Sequence, residues 1–309
     1  MRRPTTWSLL LLLSACEARI SGAPTNLGLS DIDAAAPSDA AVIEPDAAMA
    51  DAAPQLGPWS TPRLVSAAST ANSEDDVTLS SNTLELIFSF APVGGAKHLY
   101  YTSRTTVTGP WATAVALPFN SKNDDETPRF SADDKTLYFA STRAGNGTLD
   151  VFAVTRQAAG STTTWTTTPV AVTAVNTTTR DEKWLAPCGT DHYVMVQSTA
   201  AGDTDLLEGT LGGTAPTAIT TLNSTANETS AFVTQDCLTI YFASSRATTT
   251  KLFTAHRTAL TAPWPAPTVV TDFASTGGNQ EDPWLSPDGR TFAFASDVSG
   301  NKDVYLTTR

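Results

Sequence analysis

From Pro58 onward the chain writes one passage five times, and this repetition restricts its fold more than any other feature. The clearest copy runs Glu281-Asp282-Pro283-Trp284-Leu285-Ser286-Pro287-Asp288-Gly289-Arg290-Thr291-Phe292-Ala293-Phe294-Ala295-Ser296, and Glu126 to Ser141 rewrites it. Aligned on apolar pairs nine residues apart, the copies place together Leu79 and Phe88, Phe130 and Phe139, Leu185 and Val194, Phe232 and Tyr241 or, with a one-residue shift, Phe242, and Leu285 and Phe294. A carboxylate precedes each pair by four residues: Asp75, Glu126, Asp181, Glu228 and Glu281, spaced by 51, 55, 47 and 53 residues. Each copy continues through a turn, a second apolar run and a third run, most of which end near Arg104, Arg156, Arg257 or Arg309.

Within a unit the physics is that of antiparallel strands. Ser286-Pro287-Asp288-Gly289 has Pro and Gly where tight turns want them. Thr136 to Ser141 and Thr291 to Ser296 are β-rich and apolar on both faces, as strands covered on both sides are. A period near 50 residues with four short strands per unit is the signature of a β-propeller. The fourth strand lies between units and begins near Trp59, Trp111, Trp165 and Trp264, with Leu211-Gly212-Gly213 replacing the Trp once. The first such strand precedes every unit and none follows Arg309. Trp59 to Ser66 therefore completes the last blade beside Asp303 to Thr308. The sequence thus predicts an all-β fold, a five-bladed propeller of four-stranded antiparallel blades over residues 58–309, closed by its own N-terminal outer strand.

The start of the chain reads as an address. Met1-Arg2-Arg3 leads to the apolar run Leu9 to Leu13, too short for a permanent membrane span, which needs about 20 residues. Residues 1–15 are expected to be a signal peptide. Leu13-Ser14-Ala15-Cys16 resembles the lipobox of bacterial lipoproteins. The resemblance implies cleavage before Cys16, lipidation of its thiol, membrane anchoring through acyl chains and, with Glu17 rather than Asp next, a lean towards the outer membrane. Glu17 to Gly57 contains twelve Ala, four Pro, seven carboxylates, one Arg and no aromatic residue. Such a segment cannot bury enough apolar surface to offset its ordering entropy, so residues 16–57 read as a disordered tether reaching roughly 35 Å.

The repeats themselves are similar to the TolB-type propeller repeat. Copy five carries the likeness through Pro283, Ser286-Pro287-Asp288-Gly289, Ser296, Gly300 and Asp303-Val304-Tyr305, copy two adds Ser141-Thr142-Arg143 and Asp150-Val151-Phe152, and copy four keeps Ser244-Ser245-Arg246. The resemblance implies a periplasmic, protein-binding propeller, although such propellers also form parts of peptidases. Neither a hydrolase domain nor the N-terminal domain of TolB is seen in this sequence.

A net charge of −12 would repel a phosphate backbone, which argues against nucleic acid as a partner. The five aligned carboxylates should stand near the start of the innermost strands, around the axial channel. Such a ring offers oxygens to a hard cation such as calcium, but bonding to backbone amides or to Arg143 and Arg246 is the favoured role. Trp184 and Trp284 replace Thr78, Arg129 and Ala231 in the aligned copies; at the channel or its rim they would offer flat surface to a sugar or a partner side chain, but packing between blades is the favoured role. No nucleophile elbow, phosphate loop, catalytic histidine dyad, metal triad or cofactor motif is present. Cys188 and Cys237 fall in the first hairpin turns of adjacent copies, where a disulfide and two free thiols are both open. The reading that results is a monomeric, lipid-anchored, non-enzymatic module for an envelope protein or ligand. The alternative is a carbohydrate-binding propeller or glycoside hydrolase using channel carboxylates.

Overall fold

Five four-stranded antiparallel sheets follow one another around an axis in a computed structural model that describes residues 56–309, apart from 159, 161–163 and 274–276. The expected signal peptide, Cys16 and nearly all of the tether lie outside the described residues. Blade one consists of β2 (Ser73–Leu79), β3 (Glu85–Ala91), β4 (His98–Ser103) and β5 (Val115–Ala116). Blade two is β6 (Asp125–Phe130), β7 (Thr136–Ser141), β8 (Asp150–Thr155) and β9 (Val170–Ala171). Blade three is β10 (Glu182–Cys188), β11 (His192–Ser198), β12 (Thr204–Thr210) and β13 (Thr217–Ala218). Blade four is β14 (Glu228–Val233), β15 (Thr239–Ser244), β16 (Lys251–His256) and β17 (Thr268–Val269). Blade five takes β18 (Gln280–Leu285), β19 (Thr291–Ser296) and β20 (Asp303–Thr308), and its outer strand is β1 (Arg63–Leu64) from the other end of the chain.

The closure is the one read from the count of strands. Arg63 stands opposite Leu306 and Leu64 opposite Tyr305. The amide of Val65 donates to the Val304 carbonyl at 2.9 Å, and that of Ser60 donates to the Thr308 carbonyl at 2.8 Å. Trp59 packs edge-on against Phe273 and Phe292, with the Arg309 guanidinium 4.2 Å above its ring. The same Arg-on-Trp pair recurs as Arg104 on Trp111, Arg156 on Trp165 and Arg257 on Trp264. This recurrence explains why the copies share an Arg and a Trp whose spacing in sequence varies.

The turns between the first two strands follow one plan even where the letters differ. A Ser or Thr hydroxyl donates to an Asp or Asn two residues on: Ser80 to Asn82, Ser131 to Asp133, Thr234 to Asp236 and Ser286 to Asp288. The residue after that acceptor has positive φ: Thr83, Asp134, Cys237 and Gly289. Thr234-Gln235-Asp236-Cys237 thus does the work of Ser-Pro-Asp-Gly. Cys237 is disulfide-bonded to Cys188, Cα to Cα 5.3 Å, which settles the pairing the sequence left open and ties blade three to blade four.

The core lies in the seams. Five apolar clusters fill the gaps between neighbouring blades, each joining residues of both. Burial in a seam needs a blade on each side, so a ring opened at one seam exposes two apolar faces at once. Deleting Leu56 to Ser66 should therefore lower the thermal midpoint by about 10 °C or more and produce higher-mass species in size-exclusion chromatography. An unchanged midpoint and a monomeric profile would show that β1 does not seal the ring.

Candidate functional site

The innermost strands β2, β6, β10, β14 and β18 share a kink. In each, the register against the second strand slips by a bulge, and one residue takes left-handed φ: Asp76 at 54°, Thr127 at 56°, Trp184 at 45°, Ser230 at 57° and Asp282 at 56°. None is glycine. Strain repeated at one position in five blades is held by the surrounding structure and sets side-chain direction at the axis.

The bulge corrects the alignment of the carboxylates. Opposite Ser89, Ala140, Val196, Ala243 and Ala295 of the second strands stand Asp75, Glu126, Lys183, Thr229 and Glu281. Asp75, Glu126 and Glu281 therefore share the expected place, but Asp181 and Glu228 do not. Asp181 lies two residues before its blade's channel position, and its carboxylate accepts from the Leu149 amide of the previous blade. Glu228 lies one residue before its channel position and is buried; it accepts from the Ser224 amide and hydroxyl and pairs with Arg246 at 2.8 Å. The tryptophans separate for the same reason. Trp184 is the kinked residue itself. Trp284 is equivalent to Thr78, Arg129, Ala186 and Phe232, is nearly buried, and packs on Phe232. Degenerate copies three and four carry no Ser-Pro-Asp-Gly to anchor an alignment, and a shift of one or two residues passes unseen in sequence.

Two pockets sit at the ends of these strands. One, about 270 Å³, is polar and lined by Asp75, Asp76, Lys97, Glu126, Trp184 and Lys302 among others. The other, about 290 Å³, lies among the hairpin turns, where Phe130, Phe232 and Trp284 contribute. Between the strands Arg129 is buried, its Nε donating to the Ala231 carbonyl at 3.2 Å and its Nη1 to the Val77 and Pro128 carbonyls at 3.0 and 2.9 Å. One guanidinium thus ties three innermost strands across the axis. Its place was visible in sequence only as a substitution within the repeat.

At the polar mouth the acids are matched by lysines. The Lys97 ammonium lies 2.7 Å from Asp75, 2.9 Å from Asp76 and 3.4 Å from Glu126. Lys183 meets Glu126 at 2.9 Å, and Lys302 meets Glu281 at 2.5 Å and Asp75 at 3.6 Å. Burial opposes ionisation of Asp76, but Lys97 and the Ser89 hydroxyl outweigh it and hold that carboxyl well below the usual range. Burial also opposes the charge on Lys97, and Asp76, Asp75 and Glu126 overcome it, pushing the ammonium well up. Asp75 is pushed up by burial and by the charge of Asp76. Asp282, buried, is pushed up to about 6 by burial, then by Asp76 and Glu281. Its oxygens accept from the Asp76 amide at 2.9 Å and the Trp184 indole at 3.2 Å.

Asp75, Asp76 and Asp282 bring oxygens within 4.8 Å of one another, a spacing a metal ion could use. Two of the three already share the Lys97 ammonium, which supplies the positive charge that a hard cation would bring. The donor set fits a lysine-held cluster better than a calcium site.

No protein-family model matches the chain, and comparison with curated proteins finds no match. Solved structures do resemble it in fold. The α-L-arabinofuranosidase from Podospora anserina, in complex with cellotriose, aligns with 82% of this chain and 96% of its own at 11% identity and a TM-score of 0.56. The endo-arabinase of Bacteroides thetaiotaomicron aligns with 82% of this chain and 98% of its own at 10% identity and a TM-score of 0.55. TolB from Acinetobacter baumannii aligns with 79% of this chain and 56% of its own at 13% identity and a TM-score of 0.47. At these identities the likeness is one of fold.

Asp282 has a checkable signature. Its carboxyl rises from 3.8 unfolded to about 6 folded, so the folded state holds the extra proton. Stability from this group is therefore present below pH 4, falls as pH rises to 6, and stays lost above, by on the order of 3 kcal/mol. Asn offers one acceptor where Asp282 uses two, a cost that does not vary with pH, so the stability of Asp282→Asn relative to wild type should rise between pH 4.5 and pH 7 in urea titrations. A variant equally or more destabilised at pH 7 than at pH 4.5 would contradict the raised carboxyl.

Proposed function

We propose that this chain is a non-enzymatic, lipid-anchored β-propeller of the bacterial envelope, monomeric, whose polar channel mouth receives a protein or another ligand. The observation that carries this reading is the pairing of the mouth carboxylates with Lys97, Lys183 and Lys302. Hydrolysis by paired carboxylates needs one that releases its proton to the substrate and a second that is free to act as base or nucleophile. Asp75, Asp76, Glu126 and Glu281 each hold an ammonium. Asp282, the carboxyl with the raised value, is only 1% exposed and already engaged by two N–H donors. Alternating ammonium and carboxylate groups around an indole suit recognition of a polar, oppositely patterned surface. The lipobox-like Leu13-Ser14-Ala15-Cys16 supports the anchor, and Glu17 favours the outer membrane.

Full-length protein used as bait on detergent-solubilised envelope should retain a specific partner, and Lys183→Glu or Trp184→Ala should release it. Retention of no specific partner, or the same partner in all three forms, would remove the channel mouth from the account.

A second reading, carbohydrate binding or glycoside hydrolysis, is favoured by the half-buried Trp184 beside the carboxylates of a 270 Å³ pocket. The fold-mates from Podospora anserina and Bacteroides thetaiotaomicron act on arabinose-containing substrates by their names, which makes aryl arabinofuranosides and arabinan the first compounds to assay. The binding-only reading predicts no turnover above a buffer blank. Turnover abolished by Glu281→Gln would replace it with an enzyme, and glycan-array binding lost in Trp184→Ala would make the ligand a sugar.

A further inference from the structure

The seams between blades are built to one plan, and the seam that closes the ring departs from it at one residue. After each outer strand one residue donates its amide to a carbonyl near the start of the neighbouring third strand: Val65 to Val304, Leu117 to Leu99, Val172 to Val151, Ile219 to Leu206 and Val270 to Leu252. Two or three residues later an apolar wedge enters the seam: Phe119, Val175, Leu222 and Phe273 in four seams, but Ala68 in the closing one. In the first of these seams the Phe119 ring lies 5.4 Å from Phe139 and 6.0 Å from Trp165. Strand register makes Phe88 and Tyr100 the counterparts of Phe139 and Phe152. Phe88, Phe90, Tyr100 and Trp111 line a pocket of about 400 Å³ together with Ser66, Ala67 and Thr70, the chain on either side of Ala68.

The closing seam also lacks an arginine that two blades set beside a buried acid; blade three answers its own buried acid, Glu182, with the Gln197 amide at 2.8 Å, and blade five has Gln280 in the acid's place. In blade two Arg143 pairs with buried Asp125 at 2.5 Å, receives support from the Ser141 hydroxyl, and lies 5.0 and 5.3 Å above Phe139 and Phe152. Blade four repeats this with Arg246, Glu228, Ser244, Phe242 and Phe253. In blade one the acid is Glu74, but register puts Phe90 where the serine stands and Pro92 where the arginine stands. Glu74 is fully buried, lines the pocket, and accepts only the Thr70 amide and hydroxyl among the described residues. Burial pushes its carboxyl up despite those bonds, and Asp303 adds to the rise. Arg104, stacked on Trp111, is not part of the pocket lining.

We infer that the closing seam is a binding site for an organic cation, a guanidinium or alkylated ammonium, held by Phe88, Phe90, Tyr100 and Trp111 over the buried carboxylate of Glu74. Blades two and four show what this geometry accepts, since each supplies its own guanidinium between the same acid and the same ring pair. Aromatic faces around a desolvated cation, with a negative charge beneath, are the general chemistry of such recognition. The pocket volume suits a small cation or one side chain. The site is independent of the channel reading and stands or falls without it.

Tryptophan fluorescence and calorimetry on the full chain test it with two cations and their neutral isosteres: choline against 3,3-dimethylbutan-1-ol, and acetyl-Gly-Arg-Gly-amide against the same peptide with citrulline. At least one cation should bind saturably and about tenfold or more tighter than its isostere. Choline alone points to a free amine, and the peptide alone points to an arginine of a protein partner. Glu74→Gln should weaken that binding about tenfold, and Ala68→Phe should abolish it by supplying the missing wedge. Where either variant fails to melt cooperatively, the double change Phe90→Ser with Pro92→Arg decides, because it installs an internal guanidinium and should block the ligand. Equal binding of cation and isostere, or unaltered binding in the folded variants, overturns the proposal.

Discussion

Ring closure is the constraint on which the other features rest. Each apolar cluster belongs to two blades, and the one between blades five and one is completed by Val65 and Ala68, which follow β1 where it pairs along the edge of β20. Strand β1 is two residues long in strict pairing, yet it carries Trp59 and Val65 at its flanks, and these anchor it to Phe273, Phe292 and Val304. The short strand fixes direction and the flanking side chains supply most of the burial.

Closure also brings five kinked strands to one axis. The left-handed residues there are two carboxylates, a threonine, a serine and a tryptophan, and all but the serine bond to each other across blades: Asp282 to the Asp76 amide, Asp282 to the Trp184 indole, and Thr127 to the Trp184 amide. Packing acids this closely would be unfavourable without the lysines from the loops before β4 and β20. The lysines are therefore part of the scaffold of the mouth as well as its surface chemistry, and a channel so neutralised is suited to recognition by shape and charge pattern.

Much of the fold was legible because a propeller repeats its instructions. Five acids, five apolar pairs and four Trp–Arg partners give blade number, strand order and closure without any single strong motif. The site was less legible. A β-bulge changes which neighbouring residue faces the axis, and copies three and four lack the turn letters that would have exposed the shift at Asp181 and Glu228. Lys97 and Lys302 hold one place in the repeat, two residues before Leu99 and Val304, but Leu149, Thr204 and Thr250 stand there in the other copies and Lys183 comes from β10, so only three-dimensional proximity reveals that the three lysines neutralise one mouth. The pairing of Cys188 with Cys237 likewise depended on the angle between adjacent blades, which the spacing of 49 residues leaves undetermined. The departures at Ala68, Phe90 and Pro92 become visible only once the register names their counterparts.

The central claim, a ring sealed by its own first strand, is tested most directly by native-state amide hydrogen exchange resolved to single residues. The amides of Ser60 and Val65, which donate into β20, should exchange only through global unfolding, with the same denaturant dependence as the amides shared by β18 and β19. Exchange at Ser60 and Val65 that is orders of magnitude faster and insensitive to denaturant would mean that the seam opens on its own, and the account of a closed wheel would fail.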